Sequence, residues 1–204
     1  MVVGLGNPGP EYEASRHNVG FRVVDALAVR AGAGFTRRRY RSLSARGSLH
    51  GVRVLFVKPL TFMNDSGTTV LAWQQAVGID PARIIVIHDD LDLQTSRLRI
   101  KSGGGHGGHK GVRSVMEALG TGAFLRVKVG IGRPRPGHDP VEHVLGLFEK
   151  PEREEIDQAV GQAADAVEAL MREGPEAAMN RYNVRGTARR THVDSQGGEG
   201  GEHV

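Results

Sequence analysis

RIIVIHDD, residues 83–90, is the stretch from which the fold is read. Ile84, Ile85, Val86 and Ile87 follow one another with no polar alternation, the mark of a strand buried on both faces. Such a strand needs helices on both sides of its sheet. Its carboxyl end, here His88-Asp89-Asp90, is where open α/β sheets place their ligand sites. Toward the amino end, Val2 to Leu5 reads as a short buried strand that ends in the loop Gly6-Asn7-Pro8-Gly9. Asn18 to Ala31 carries Val19, Val23, Val24, Leu27, Ala28 and Ala31 at helical spacing. Ser42 to Leu49 and Val52 to Val57 predict an antiparallel hairpin about His50-Gly51, with Pro59 ending it. After a loop, Gly67 to Val77 predicts a helix, with Asn64, Asp65 or Ser66 to cap it and Gly78 to stop it. Toward the carboxyl end, Arg97 to Lys101 and Leu125 to Ile131 read as strands and Val112 to Leu119 as a helix. Glu152 to Arg172 is a long amphipathic helix. This alternation predicts an α/β fold: a single domain over residues 1–186, with a mixed twisted sheet flanked by helices. Thr187 to Val204 is polar and Gly-rich, and is expected to be a disordered tail.

A chain of 204 residues suits one core. No run of apolar residues is long enough to span a membrane, and no charged segment precedes an apolar leader, so a soluble, cytoplasmic protein is expected. The lack of Cys removes disulfides, thiolate zinc sites and Cys nucleophiles together. The net charge of +4 is modest but unevenly placed. Ala26 to Asn64 holds eight Arg or Lys and no acid, whereas Asp139 to Glu176 holds eleven acids against three Arg or Lys. Cations gathered on one segment suit a polyanion partner; a solvated, salt-bridged surface is the alternative.

Chemistry is densest from His88 to Gly111, which packs three Asp, three His and six Gly. Its glycines suggest a phosphate cradle, but the P-loop pattern G-x-x-x-x-G-K-[ST] fails on both sides of Lys110. Gly4 to Gly9 satisfies G-x-G-x-x-G, yet no acid ends a second strand about 20 residues later, so dinucleotide binding is disfavoured. His88, Asp89, Asp90, Asp92, His106 and His109 offer metal ligands, but neighbouring strand residues point to opposite faces, which argues against one shared ion. His17 stands in a polar loop before a helix. An imidazole, with its ordinary pKa of about 6.5, serves as a base if a carboxylate orients it, and Asp89 at the strand end could be that carboxylate. Phe62-Met63-Asn64 is either a hydrophobic staple for the next helix or the wall of a ligand pocket.

With GLGNPGPEY (4–12), SRHNVGF (15–21), KPLTFMNDSG (58–67), HDDLDL (88–93) and KSGGGHGGHKG (101–111) in one order, the chain resembles the bacterial peptidyl-tRNA hydrolase family over essentially residues 2–184. The resemblance implies a monomeric, metal-independent esterase without cofactor that cleaves the ester between peptide and tRNA. It implies His17 as catalytic base, oriented by Asp89, with Asn7 and Asn64 lining the cleft and Tyr12 and Met63 shaping it. Lys101 and Lys128 match positions that engage tRNA phosphates, the second being typically Arg. Lys110 stands where the family's glycine motif usually carries Asn, and is kept as a substrate-binding candidate. The alternative is a non-catalytic RNA-binding protein on the same fold. Neither reading involves a membrane.

Overall fold

The apolar runs become the centre of a sheet. In the computed structural model, which describes residues 1–183, β1 (Val2–Gly4) pairs in parallel with β4 (Val52–Pro59) on one side and β5 (Ile85–Asp90) on the other. Beyond β5 lies β7 (Leu125–Gly130), again parallel, and then β6 (Leu98–Ser102), antiparallel to it. Beyond β4 lie β3 (Ser42–Leu49) and β2 (Arg37–Arg39), both antiparallel, so the strand order is β2-β3-β4-β1-β5-β7-β6. The sheet is mixed, with its parallel strands in the middle where both faces are covered.

Successive residues point to opposite faces, and each face builds its own core. Val2, Phe56, Ile85, Ile87 and Val127 pack with α1 (Val19–Arg30) and α5 (Lys150–Tyr182). Val3, Val57 and Val86 pack with α2 (Ser66–Val77) and α3 (Lys110–Leu119). The short α4 (Pro140–Leu145), capped by Asp139 with Pro at its first position, leads into α5. The α/β architecture expected from the sequence is the one found.

Three elements differ from expectation. β2 is an edge strand made of three arginines. No Gly or Asn announces its turn, yet Tyr40 and Arg41 both adopt left-handed φ (51° and 53°), the backbone that closes tight hairpins. α4 was not anticipated, although its Asp-Pro start is a legible helix signal. α5 begins at Lys150 through a capping box of Glu149 with Glu152, and continues to Tyr182 across a break at Gly174 before Pro175. At its end, Asn183 accepts the Ile100 N–H (2.7 Å) and donates to the Ile100 carbonyl (2.9 Å) on edge strand β6. Gly78 does stop α2, in left-handed backbone, but Asp65 holds the cap position without a side-chain cap bond. The expected domain limit at 186 and the tail 187–204 lie outside the described residues.

Helices α2 and α3 touch where Gly67 meets Ser114: a Cβ on Gly67 would lie 2.0 Å from the Ser114 carbonyl oxygen. Gly161, inside α5, has open space around its Cβ position. Gly67→Ala should therefore cost about 1–3 kcal/mol by overpacking, while Gly161→Ala should stabilise by about 0.5–1 kcal/mol through helix propensity. Chemical denaturation of both variants checks the pair. Equal effects would contradict the close helix crossing.

Candidate active site

The carboxyl ends of the parallel strands carry loops that converge on one cleft of about 480 Å³. The loop after β1 brings Asn7, Tyr12 and His17; the loop after β4 brings Phe62, Met63 and Asn64; β5 brings Asp89 directly. The glycine loop after β6 brings His106, His109 and Lys110, and α4 closes the rim with Pro140, Val141 and Val144. Asn7, Tyr12, His17, Met63, Asn64, Asp89 and Lys110 all line this cleft. Lys101 and Lys128 do not.

At its floor the buried carboxylate of Asp89 meets two imidazoles. His17 Nδ1 lies 2.7 Å from Asp89 Oδ1, and His109 Nε2 lies 2.9 Å from the same oxygen. The other nitrogen of His109, Nδ1, accepts the backbone N–H groups of Gly111 (3.1 Å) and Val112 (3.2 Å), capping α3. An acceptor nitrogen carries no proton, so the His109 proton sits on Nε2 and points at Asp89. Burial alone would raise the Asp89 carboxyl, but the facing imidazoles outweigh it and hold the group far below the usual carboxylate range. Asp89 is therefore ionised. An ionised carboxylate can only accept, so His17 donates to it through Nδ1, and Nε2 is the nitrogen left for the cleft.

His17, Asp89 and His109 are also the ligand types of a metal site, with candidate atoms within 4.8 Å of one another. Each imidazole nitrogen that faces Asp89 is used as a proton donor, however, which is hydrogen bonding rather than coordination. The other candidates from the sequence are engaged elsewhere. His88 lies buried under His109, ring centroids 4.6 Å apart, with Nδ1 on the Asp89 carbonyl. Burial, reinforced by the neighbouring His109, pushes His88 well below the ordinary imidazole value, so it is neutral. Asp90 pairs with Lys128, Asp92 with Arg133, and His106 accepts the Gly108 N–H.

Local bonds fix the remaining side chains. Asn18 accepts the Asn7 N–H (2.7 Å) and donates to the Asn7 carbonyl (3.0 Å), while Asn7 Oδ1 accepts the Met63 N–H (2.8 Å). With its side-chain oxygen already accepting the Met63 N–H, Asn7 keeps its whole NH₂ group to offer the cleft. Phe62 and Met63 both line the cleft: Phe62 is 61% exposed on the rim, whereas Met63 is 4% exposed and packs against Gly111 of α3. A Cβ on Gly111 would stand 2.4 Å from Met63 Sδ, so that glycine serves close approach. Gly4 is of the same kind: a Cβ there would stand 2.3 Å from the Gly20 carbonyl oxygen, and α1 opens only at Val19. The G-x-G-x-x-G match therefore lacks the helix start that would hold a pyrophosphate.

Lys101 is exposed on β6, while Lys128 is tied to Asp90 on β5. Strand register places both on one sheet face with Arg99 and Arg126. Three structural residues escaped the sequence reading. Arg126, only 1% exposed, donates to the carbonyls of Gly103, Gly104 (2.8 Å) and Gly105 (2.8 Å), and so shapes the glycine loop. Arg16 donates two hydrogen bonds to the Glu152 carboxylate (2.7 and 2.5 Å), locking the turn that carries His17 to the start of α5. His109, a metal-ligand candidate from the sequence, is the second donor to Asp89. Helix-start spacing (His109 just before an amphipathic run) was the available signal for its cap; the other two had none.

A family model described as "Peptidyl-tRNA hydrolase" matches residues 1–191. The chain is 49% identical over 184 residues to a peptidyl-tRNA hydrolase of Frankia alni, covering 90% of this chain and 93% of that one. It is 48% identical to one of Chloroflexus aurantiacus, covering 90% and 98%. Among solved structures, the peptidyl-tRNA hydrolase of Acinetobacter baumannii superposes with a TM-score of 0.84 at 37% identity, covering 89% of this chain and 93% of that one. With this cleft on this sheet, the chain belongs to the peptidyl-tRNA hydrolase family.

Proposed function

We propose that this chain hydrolyses the ester joining a peptide to the terminal ribose of tRNA, with His17 as general base. The observation that carries the reading is the His17–Asp89 bond, which leaves His17 Nε2 as the proton acceptor at the cleft. Nε2 takes a proton from water, and the resulting hydroxide adds to the ester carbonyl carbon. The tetrahedral oxyanion collapses by breaking the bond to the ribose oxygen, which recovers the proton from His17. Free peptide acid and a tRNA ribose hydroxyl are released, with no covalent enzyme intermediate. Asp89 stays ionised throughout and stabilises the imidazolium that forms between the two transfers. The NH₂ groups of Asn7 and Asn64 and the ammonium of Lys110 are the donors available to the developing oxyanion and the peptide carbonyls. Tyr12, Phe62 and Met63 supply the apolar wall that limits water.

Lys101 is the freer of the two lysines to meet a tRNA phosphate; Lys128 would share its charge with Asp90. A cleft built from one chain supports action as a monomer, and a peptidyl-tRNA substrate implies the cytoplasm. Among the described residues no helix is long and apolar enough to cross a membrane.

The direct test is hydrolysis of an N-blocked aminoacyl-tRNA beside the same tRNA with a free amino group; cleavage of the blocked ester is expected, and its absence would refute the activity. His17→Ala should lower kcat by about 10²–10⁴-fold while tRNA binding persists, which also separates an enzyme from a non-catalytic RNA binder. A chelator should leave the rate unchanged; a rate that falls with chelation and returns with added metal would favour coordination by His17, Asp89 and His109. Acidification probes the buried charges. His88 is held neutral when folded, so below about pH 6.5 the unfolded chain binds the extra proton and stability falls, by up to about 1.4 kcal/mol per pH unit. Asp89 has the depressed pKa, so its contribution persists until below about pH 4. Denaturation at pH 7.5 and 5.5 should show a smaller loss for His88→Gln than for the parent.

A further inference from the structure

The charge-rich segment between residues 37 and 53 takes no part in the cleft. On β2, β3 and β4, register puts Arg37 beside Ser44, Arg39 beside Ser42, Arg46 beside Leu55 and Ser48 beside Arg53. Paired residues share a face and alternate residues repeat it, so Arg37, Arg39, Arg46 and Arg53 all point to the α2 side of the sheet. They stand past the point where α2 covers the strands, and all four are exposed. Outside these four arginines, the cations of this basic segment are Arg30, paired with Asp165 and Glu168, Arg41, paired with Asp65, Lys58, paired with Asp25, and Arg38, which is exposed on the opposite face of the sheet. Among the described residues these four arginines have no carboxylate partner. From the level of Arg39 to that of Arg53 is six residues of β4, about 20 Å.

The strip starts beside a loop that lines the cleft. Arg41, which follows the strip's first strand, accepts the Leu60 N–H through its carbonyl (2.7 Å) and pairs with Asp65 (2.7 Å). It thereby binds the hairpin to the loop carrying Phe62, Met63 and Asn64. The strip's chemistry is that of a phosphate surface: guanidinium forks, whose geometry matches phosphate oxygens, rather than lysines. A lipid surface fits less well, because the one exposed large apolar side chain of these strands, Val52, lies on the opposite face.

We infer that this arginine face is a second phosphate-contact surface, which takes the helical part of the substrate tRNA beyond the end held in the cleft. The inference rests on the tRNA ester proposed above as substrate. Lys101 and Lys128 lie on the same side of the sheet near its other edge, about 25–30 Å away, so an RNA leaving the cleft has a basic surface on either hand.

The test compares the parent with the variant R37S/R39S/R46S/R53S on two esters, an N-blocked aminoacyl-tRNA and the same blocked aminoacyl group on a short single-stranded CCA-ended oligonucleotide. KM for the tRNA ester should rise about tenfold at moderate salt, and the salt slope of deacylated-tRNA binding should fall by about 2–3. The kcat of both esters and the KM of the short one should stay unchanged. An all-lysine version of the four sites should restore most of the slope if it is folded. Equal losses on both esters, or an unchanged slope, would overturn the inference. So would aggregation with tRNA binding intact, the mark of arginines that merely protect a sheet edge, or lost affinity for anionic phosphatidylserine vesicles with tRNA binding unchanged. If the parent cleaves neither ester, the activity fails while the binding slopes still judge the surface.

Discussion

One carboxylate oxygen, Asp89 Oδ1, receives two imidazole N–H groups, and the cleft is arranged around that fact. A buried carboxylate without partners would take up a proton and lose its use as an anchor. Two donors from separate loops keep it charged, and each donor is itself held from behind. His109 is fixed by the first turn of α3, whose N–H groups it caps; His17 sits on a turn clamped to α5 through Arg16 and Glu152. Three segments far apart in sequence are thus tied to one atom on β5. The rest of the fold serves to bring them there: a parallel strand ends at the oxygen, and loops from both helical layers close over it.

Much of this frame could be read from local pattern. Four apolar residues in succession announced β5, helical spacing announced α1 and α2, and the hairpin of β3 and β4 followed from a turn between two strand-like runs. The chemistry of His17 and Asp89 suggested their pairing before any geometry was known. What escaped has a common physical cause. Arg16 finds Glu152 across 136 residues, and Arg126 finds three glycine carbonyls across about twenty; neither contact leaves a periodic trace in the chain. β2 escaped for a different reason, since three arginines contradict strand propensity and its turn uses left-handed Tyr40 and Arg41 in place of glycine. The charge asymmetry was legible only as an excess. Which arginines are neutralised by α1, α5 and the loops, and which are left over, is decided by tertiary pairing.

The glycine loop shows how one residue type can serve unrelated ends. Its abundance first suggests a cradle for phosphate, but the N–H groups at the start of α3 are already taken by His109. The carbonyls of Gly103 to Gly105 instead face a buried cation from the protein itself, Arg126, and Gly111 lets Met63 approach the helix. The loop is polarised inward, with its oxygens toward the sheet, and the outer side is left to His106 and Lys110. Lys110 therefore brings a positive charge to a wall where the N–H groups of Gly111 and Val112 are already bound by His109.

Asn183 bears on the molecule's behaviour in a crowded solution. Its carboxamide copies a peptide group, giving and taking one bond each with Ile100, so a single side chain stands where an eighth strand would begin. The two borders of the sheet are thus sealed by different means: repulsive charge along β2, and a mimic of backbone at the middle of β6. A foreign strand approaching β6 would have to displace a group already bound in its place, and the residue that blocks it is supplied by the far end of the same helix that anchors the turn of His17.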